Sequence, residues 1–152
     1  MTISRLDNNK RFLFLALTLL LAVITWAQPT ADRILGIYKA KFDKNDAKVK
    51  VFRHDGGYRM QICWLRVTHN LDGTLKTDAK NPDQRKRTTP MSEVVLVERV
   101  TYEDGIWKNG RIYDPKSGKT YKVELRLSDD NKLEVRGIVG PFHKSFIWTK
   151  IQ

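Results

Sequence analysis

Apolar and polar residues alternate with a period of two along much of this chain. Lys48-Val49-Lys50-Val51, Tyr58-Arg59-Met60-Gln61-Ile62, Tyr121-Lys122-Val123-Glu124-Leu125-Arg126-Leu127 and Lys132-Leu133-Glu134-Val135-Arg136 are strict cases. Alternation sends one set of side chains to a core and the other to water, the mark of an antiparallel sheet covered on one face. No helical period persists for three turns after the first 27 residues. The runs are separated by turn residues: Asp55-Gly56-Gly57, Glu103-Asp104-Gly105, Asp114-Pro115-Lys116-Ser117-Gly118 and Ser128-Asp129-Asp130-Asn131. Gly, Asn and Asp accept the positive φ that tight hairpins need, and Pro115 presets a turn. The pattern predicts strands near 33–42, 47–54, 57–67, 91–102, 106–114, 119–128, 132–139 and 145–151.

Strands in hairpin order with one apolar face must hide that face. With no helix to cover it, the sheet closes on itself, so an all-β fold is expected: an eight-stranded antiparallel up-and-down barrel. Closure also removes the unpaired edges that invite aggregation. Residues 68–90 break the pattern with a long, mostly polar stretch holding Asp78, Asn81-Pro82 and the basic run Arg85-Lys86-Arg87. Such a long connection in a small domain is usually functional or mobile.

The start of the chain is of another kind. Arg5, Lys10 and Arg11 precede an apolar run, Phe12 to Ile24, interrupted only by Thr18, and Thr25-Trp26-Ala27 follows. A charged start, a short apolar middle and a small-residue exit read as a secretory signal cleaved between Ala27 and Gln28. The apolar run is shorter than the ~20 residues a membrane-crossing helix needs. The expected organisation is a signal at 1–27 and a single barrel domain at 28–152, exported to the periplasm or secreted.

Charge narrows the partners. The chain has 28 Lys and Arg against 17 Asp and Glu, a net +11, and most of that excess lies after residue 27. Export argues against nucleic acid, which leaves an anionic envelope surface or simple solubility. The lone cysteine, Cys63, cannot form an internal disulfide, and a buried, inert thiol is expected there.

A family resemblance rests on longer motifs. Asp78-Ala79-Lys80-Asn81-Pro82, the stretch from Trp107 through Gly110-Arg111-Ile112-Tyr113-Asp114-Pro115 to Tyr121, Leu133-Glu134-Val135-Arg136-Gly137 and Trp148-Thr149-Lys150 form a series. With these, the chain resembles the bacterial exported family known as domain of unknown function 2147. The resemblance implies a calycin-type, lipocalin-like barrel and no particular activity. Lipocalins open with Gly-x-Trp and pack a basic residue across that ring. Here Gly36-Ile37-Tyr38 occupies the position, and the resemblance implies Lys150 as the basic partner.

Chemical motifs are sparse. Gly118-Lys119-Thr120 imitates the end of a phosphate-binding loop but lies between two strands and lacks the earlier glycine. His54, His69 and His143 are scattered, whereas zinc needs three or four converging ligands. No Gly-x-Ser-x-Gly elbow is present. Asp78, Asp114 and Glu124 are carboxylates that folding could bring together, with no motif linking them. No cofactor, no metal and no enzymatic activity are therefore expected.

An eight-stranded barrel is just wide enough to hold one small ligand, and two readings follow. In the first, the interior binds a small amphipathic or hydrophobic ligand. Tyr38, Trp64, Trp107, Tyr113, Tyr121, Val123, Leu125 and Trp148 are the candidate lining, with Arg136 and Lys150 as charge for an anionic head. Gly36, Ala40, Gly110 and Gly137 fall on inward positions that leave room, and Trp148 is expected to pack near Tyr38. Arg136 alternates outward in this register, and a slip of one residue would reverse it. In the second reading, a filled barrel acts as an envelope scaffold through its basic surface and the 68–90 loop. Oligomeric state is not legible from the sequence.

Overall fold

The alternating runs form eight antiparallel strands: β1 (Gly36–Phe42), β2 (Asn45–His54), β3 (Gly57–Leu65), β4 (Val95–Glu103), β5 (Ile106–Asp114), β6 (Lys119–Asp129), β7 (Lys132–Val139) and β8 (Phe142–Lys150). Each strand pairs with the next and β8 returns to β1, closing the barrel in simple up-and-down order. This computed structural model describes residues 30–42, 44–129 and 131–152. The chain divides into two units, Met1–Arg33 and Ile34–Gln152, and the second contains every strand. The expected signal segment, with Ala27 and Gln28 at its cut, lies outside the described residues.

The turn chemistry works as its residues dictate. Asp55-Gly56 and Asp104-Gly105 both take positive φ, at 49° and 68° and at 53° and 83°. Two consecutive positive φ values make the mirror-image turn whose twist matches the strands it joins. Four strand starts differ from expectation. β1 begins at Gly36 rather than 33, and β2 begins at Asn45 rather than 47 because the ladder already pairs Phe42 with Asn45. β4 begins at Val95 rather than 91, because Met91–Glu93 winds into a single 3₁₀ turn after Pro90. β8 begins at Phe142 rather than 145, because Gly140, at φ 56°, and Pro141 close a two-residue turn and pairing resumes at Val139–Phe142.

The core is the inward set of the alternation. Tyr38, Val49, Val51, Met60, Ile62, Val97, Val100, Trp107, Val123, Leu125, Leu133 and Val135 are all buried. Trp107 packs edge-on against Tyr58 at 6.5 Å and tilted against Tyr102 at 4.8 Å between ring centres. Trp148 is buried as expected, but its ring meets Phe42 edge-on at 6.1 Å, at the far end of β1 from Tyr38. Cys63 departs from expectation and is exposed. Val49 faces Ile62 and Lys48 faces Trp64, so Cys63 is the extra residue of a bulge and leaves the alternation.

Tyr38 and Lys150 stand as the resemblance implies. They are cross-strand partners on β1 and β8, and the Lys150 ammonium lies 6.0 Å from the centre of the Tyr38 ring. Gly36 makes this closure feasible. It sits at φ 143°, and a Cβ there would run into the Gln152 carbonyl and reach 2.6 Å from Lys150 Cε.

The Tyr38 hydroxyl donates to the Ile34 carbonyl at 2.9 Å, and burial pushes its pKa from 10.0 up to about 12. An unfolded tyrosine ionises near pH 10. The folded chain keeps this one neutral, so its contribution is complete below about pH 10 and is lost as pH rises towards 12. The urea midpoint should therefore fall between pH 10 and 12, and Tyr38→Phe should flatten part of that fall. An unchanged alkaline slope in the variant would contradict the assignment.

Candidate functional site

In up-and-down order the β1–β2, β3–β4, β5–β6 and β7–β8 connections share one end of the barrel. The first three enclose a cavity of about 390 Å³ at that mouth. Its apolar wall is Phe42, Ile62, Leu65, Val67 and Met91, and its polar edge includes Lys44, Lys76, Lys116 and Asp114. Phe42 has the parity of Tyr38 and Ala40, so it continues the inward row of β1 to the rim. Asn45 fixes Val67 by a two-way exchange, its amide donating to the Val67 carbonyl and its oxygen accepting from the Val67 N–H, both at 3.0 Å. Asp114 is engaged within its own turn by the Ser117 hydroxyl at 2.6 Å and the Lys116 N–H at 3.0 Å.

The long connection is ordered by its own backbone and by one buried clamp. Lys76 N–H donates to the Thr68 carbonyl, Met91 N–H to Lys76, and Asp78 N–H to Thr89. These rungs bring Lys76 and Met91 together at the mouth. Asp78 is buried and accepts from the Tyr113 hydroxyl and the Asn81 amide, both at 2.6 Å. Burial, reinforced by the bond to Asp78 and its charge, raises the Tyr113 pKa. The Asp-x-x-Asn-Pro motif and the tyrosine of the β5 motif thus pin the loop to the barrel wall. Gly118, at φ 71°, belongs to the same contact, since a Cβ there would strike the Lys80 carbonyl. Lys80 also donates to the Lys116 carbonyl at 2.8 Å. The glycine of the phosphate-loop look-alike is therefore a point of close backbone approach.

A second hollow, of about 690 Å³, lies between this loop and the wall formed by β4 and β5. It is lined by both charges, and several already have partners. Glu98 binds Arg59 at 2.7 Å, Arg111 donates to the Thr120 carbonyl at 3.1 Å, and Asp78 is held as above. Among the described residues, no three His, Cys, Asp or Glu side chains gather as metal ligands. Asp78, Asp114 and Glu124 each have separate local partners, Arg126 in the case of Glu124.

The sequence-derived candidates spread over several environments. Tyr38, Trp107, Val123, Leu125 and Trp148 lie in the packed interior. Tyr121, opposite Ile112, is half-buried. Trp64 stands on the outer face beneath the Lys48 ammonium, 5.3 Å from its ring centre. Tyr113 points out to the loop, and Lys150 covers Tyr38. Arg136 also faces outward, paired across strands with Glu124 and Ser145 and 3.8 Å from Glu134. None of the ten lines the mouth cavity. The room expected at Gly36 and Gly110 is taken, at Gly110 by the Arg99 carbonyl and the Val100 side chain. The mouth residues escaped the sequence reading because hydrophobic size marks the packed interior. The available signal was inward parity at strand ends next to the longest connection.

Comparison with known proteins agrees with this architecture. A family profile described as an uncharacterized protein conserved in bacteria (DUF2147) matches residues 36–150. Curated proteins give no match. Among solved structures, protein HP1028 from the human pathogen Helicobacter pylori, described as belonging to the lipocalin family, is similar at a TM-score of 0.64 and 25% identity. The match covers 78% of this chain and 83% of that one. With its profile match spanning every strand, the chain belongs to the DUF2147 family, in the form of a lipocalin-like barrel.

Proposed function

We propose that this barrel is exported, binds one small amphipathic ligand with an anionic head at its mouth, and does no chemistry on it. The carrying observation is the cavity of about 390 Å³ with Phe42, Ile62, Leu65, Val67 and Met91 as its wall and Lys44, Lys76 and Lys116 at its edge. Its size lies within the usual range of small-molecule sites. An apolar wall takes a hydrocarbon tail, and ammonium groups at the edge suit a carboxylate or phosphate. Burial of a tail yields about 0.8 kcal/mol per methylene, so ten carbons offer roughly 8 kcal/mol before ordering and association costs. Those costs take back several kcal/mol. Hydrogen bonds from the lysine ammonium groups to a charged head, about 1.5–3 kcal/mol each, offset most of that, which places affinity near micromolar.

Trp148 reports on the site because its ring touches Phe42, a wall residue. Titration with straight-chain fatty acids should change tryptophan fluorescence saturably at micromolar concentration. Affinity should rise with chain length until the cavity is full, then level off. If no amphiphile binds below millimolar, the alternative becomes the better account: a filled barrel acting as an envelope scaffold through its basic surface and the 68–90 loop.

A further inference from the structure

We propose that the open end of the barrel docks on an anionic lipid surface, with two apolar prongs entering the interface and lysines between them meeting the headgroups. The first prong is on the β3–β4 connection, where Val67, Leu71 and Leu75 are exposed, Leu71 completely. The second is the β7–β8 hairpin tip, where Val139 and Phe142 face each other across the turn and Phe142 is 76% exposed. In a ring of eight strands these two connections are four strands apart, on opposite sides of the mouth. Lys44 on the β1–β2 turn and Lys116 on the β5–β6 turn occupy the quarters between them. Lys76 joins the first prong, and Lys144 follows the second, its ammonium 5.0 Å from the centre of the Phe146 ring.

Exposed apolar tips alone would suit any partner. Interleaved with ammonium groups they fit an interface that is greasy below and negative above, which is a bilayer containing anionic lipid. The acids on this rim are largely engaged locally. Asp72 accepts from the Thr74 N–H and hydroxyl, Asp114 is held in its turn, and Asp46 pairs with Arg66. Docking by this end would also bring the mouth cavity against the source of an amphiphile, a link that rests on the proposed function.

Vesicle co-sedimentation tests the docking directly. The protein should bind vesicles of mixed phosphatidylcholine and phosphatidylglycerol, less at high salt, and bind pure phosphatidylcholine vesicles at least tenfold more weakly. Each lysine near such a surface contributes about fivefold, so Lys44→Glu with Lys116→Glu should lower binding by more than tenfold. Leu71→Ser with Phe142→Ser should do the same, and circular dichroism should show an intact fold because both residues are exposed. Titration of that second variant with a soluble short-chain fatty acid should give wild-type affinity, which separates failure of docking from failure of the ligand site. Equal binding to neutral and anionic vesicles, or wild-type binding by both variants, overturns the proposal. So does self-association of the wild-type chain that is lost in Leu71→Ser with Phe142→Ser, since a second copy would then be the occupant.

Discussion

Replacing Trp148 by alanine should cost about 3–5 kcal/mol, the usual loss for deleting a large buried aromatic. The side chain is 4% exposed, lies opposite Leu133 on β7, and meets Phe42 of β1 edge-on. It therefore ties the last strand to the first. Regular pairing between these strands is limited to Tyr38–Lys150 and Lys39–Thr149, whereas β8 pairs with β7 along its length. Backbone bonds from Ile37 N–H to the Gln152 carbonyl at 2.7 Å and from Ile151 N–H to the Ile37 carbonyl at 2.8 Å extend this short ladder, and side-chain packing supplies the rest. Domains of this kind have about 5–15 kcal/mol of total stability, so the urea midpoint should drop sharply. Lys122→Ala, at an exposed position of β6, should stay within about 0.5 kcal/mol of wild type. Equal effects from the two would mean that Trp148 does not close the barrel.

Val67→Trp should abolish amphiphile binding while the barrel stays folded. Val67 is 46% exposed at the edge of the mouth cavity, so a larger side chain can be accommodated without pressing on the core. An indole there would displace several methylenes of tail. Losing half of a ten-carbon tail's burial removes about 4 kcal/mol, close to three orders of magnitude in affinity. Val123→Trp is the contrasting variant. Val123 is buried, faces Gly110 and Gly137, and lines neither cavity. A Trp there should lower stability by about 1–3 kcal/mol through overpacking. Wild-type affinity in Val67→Trp, with loss only in Val123→Trp, would move the ligand from the mouth to the interior.

The barrel was legible because its information is local. Period-two alternation and Asp-Gly turns specify strands and hairpins without reference to distant residues, and hairpin order then leaves closure as the way to bury one face. Legibility failed where a single residue interrupts the period. At Cys63 the bulge turned an expected core thiol outward. At Gly140-Pro141 a residue pair that reads as a loop is a two-residue turn, so Phe142 opens β8 and pairs with Val139 instead of lying in a connection.

The candidate site was less legible, for a physical reason. Large aromatics such as Trp107 and Tyr38 attract attention by size, and large aromatics are what fill a barrel interior. A cavity forms where filling stops. Here that is at strand ends, among medium-sized residues such as Leu65, Val67 and Met91 brought together by a connection whose path the sequence does not show. The family motifs were visible, but their role in the fold was not. Asp78, Asn81 and Tyr113 look like candidate chemistry until the clamp that holds the loop is seen.

A mouth that holds an amphiphile should keep it through purification. Native mass spectrometry of the protein isolated from the cells that make it reads this out. The barrel should carry one extra mass of a few hundred daltons, on the order of a single lipid tail and head, which organic extraction removes and added fatty acid restores. Val67→Trp isolated in the same way should appear at its bare mass. Wild-type protein that appears bare and takes up no fatty acid at micromolar concentration would show that the mouth is not an amphiphile site.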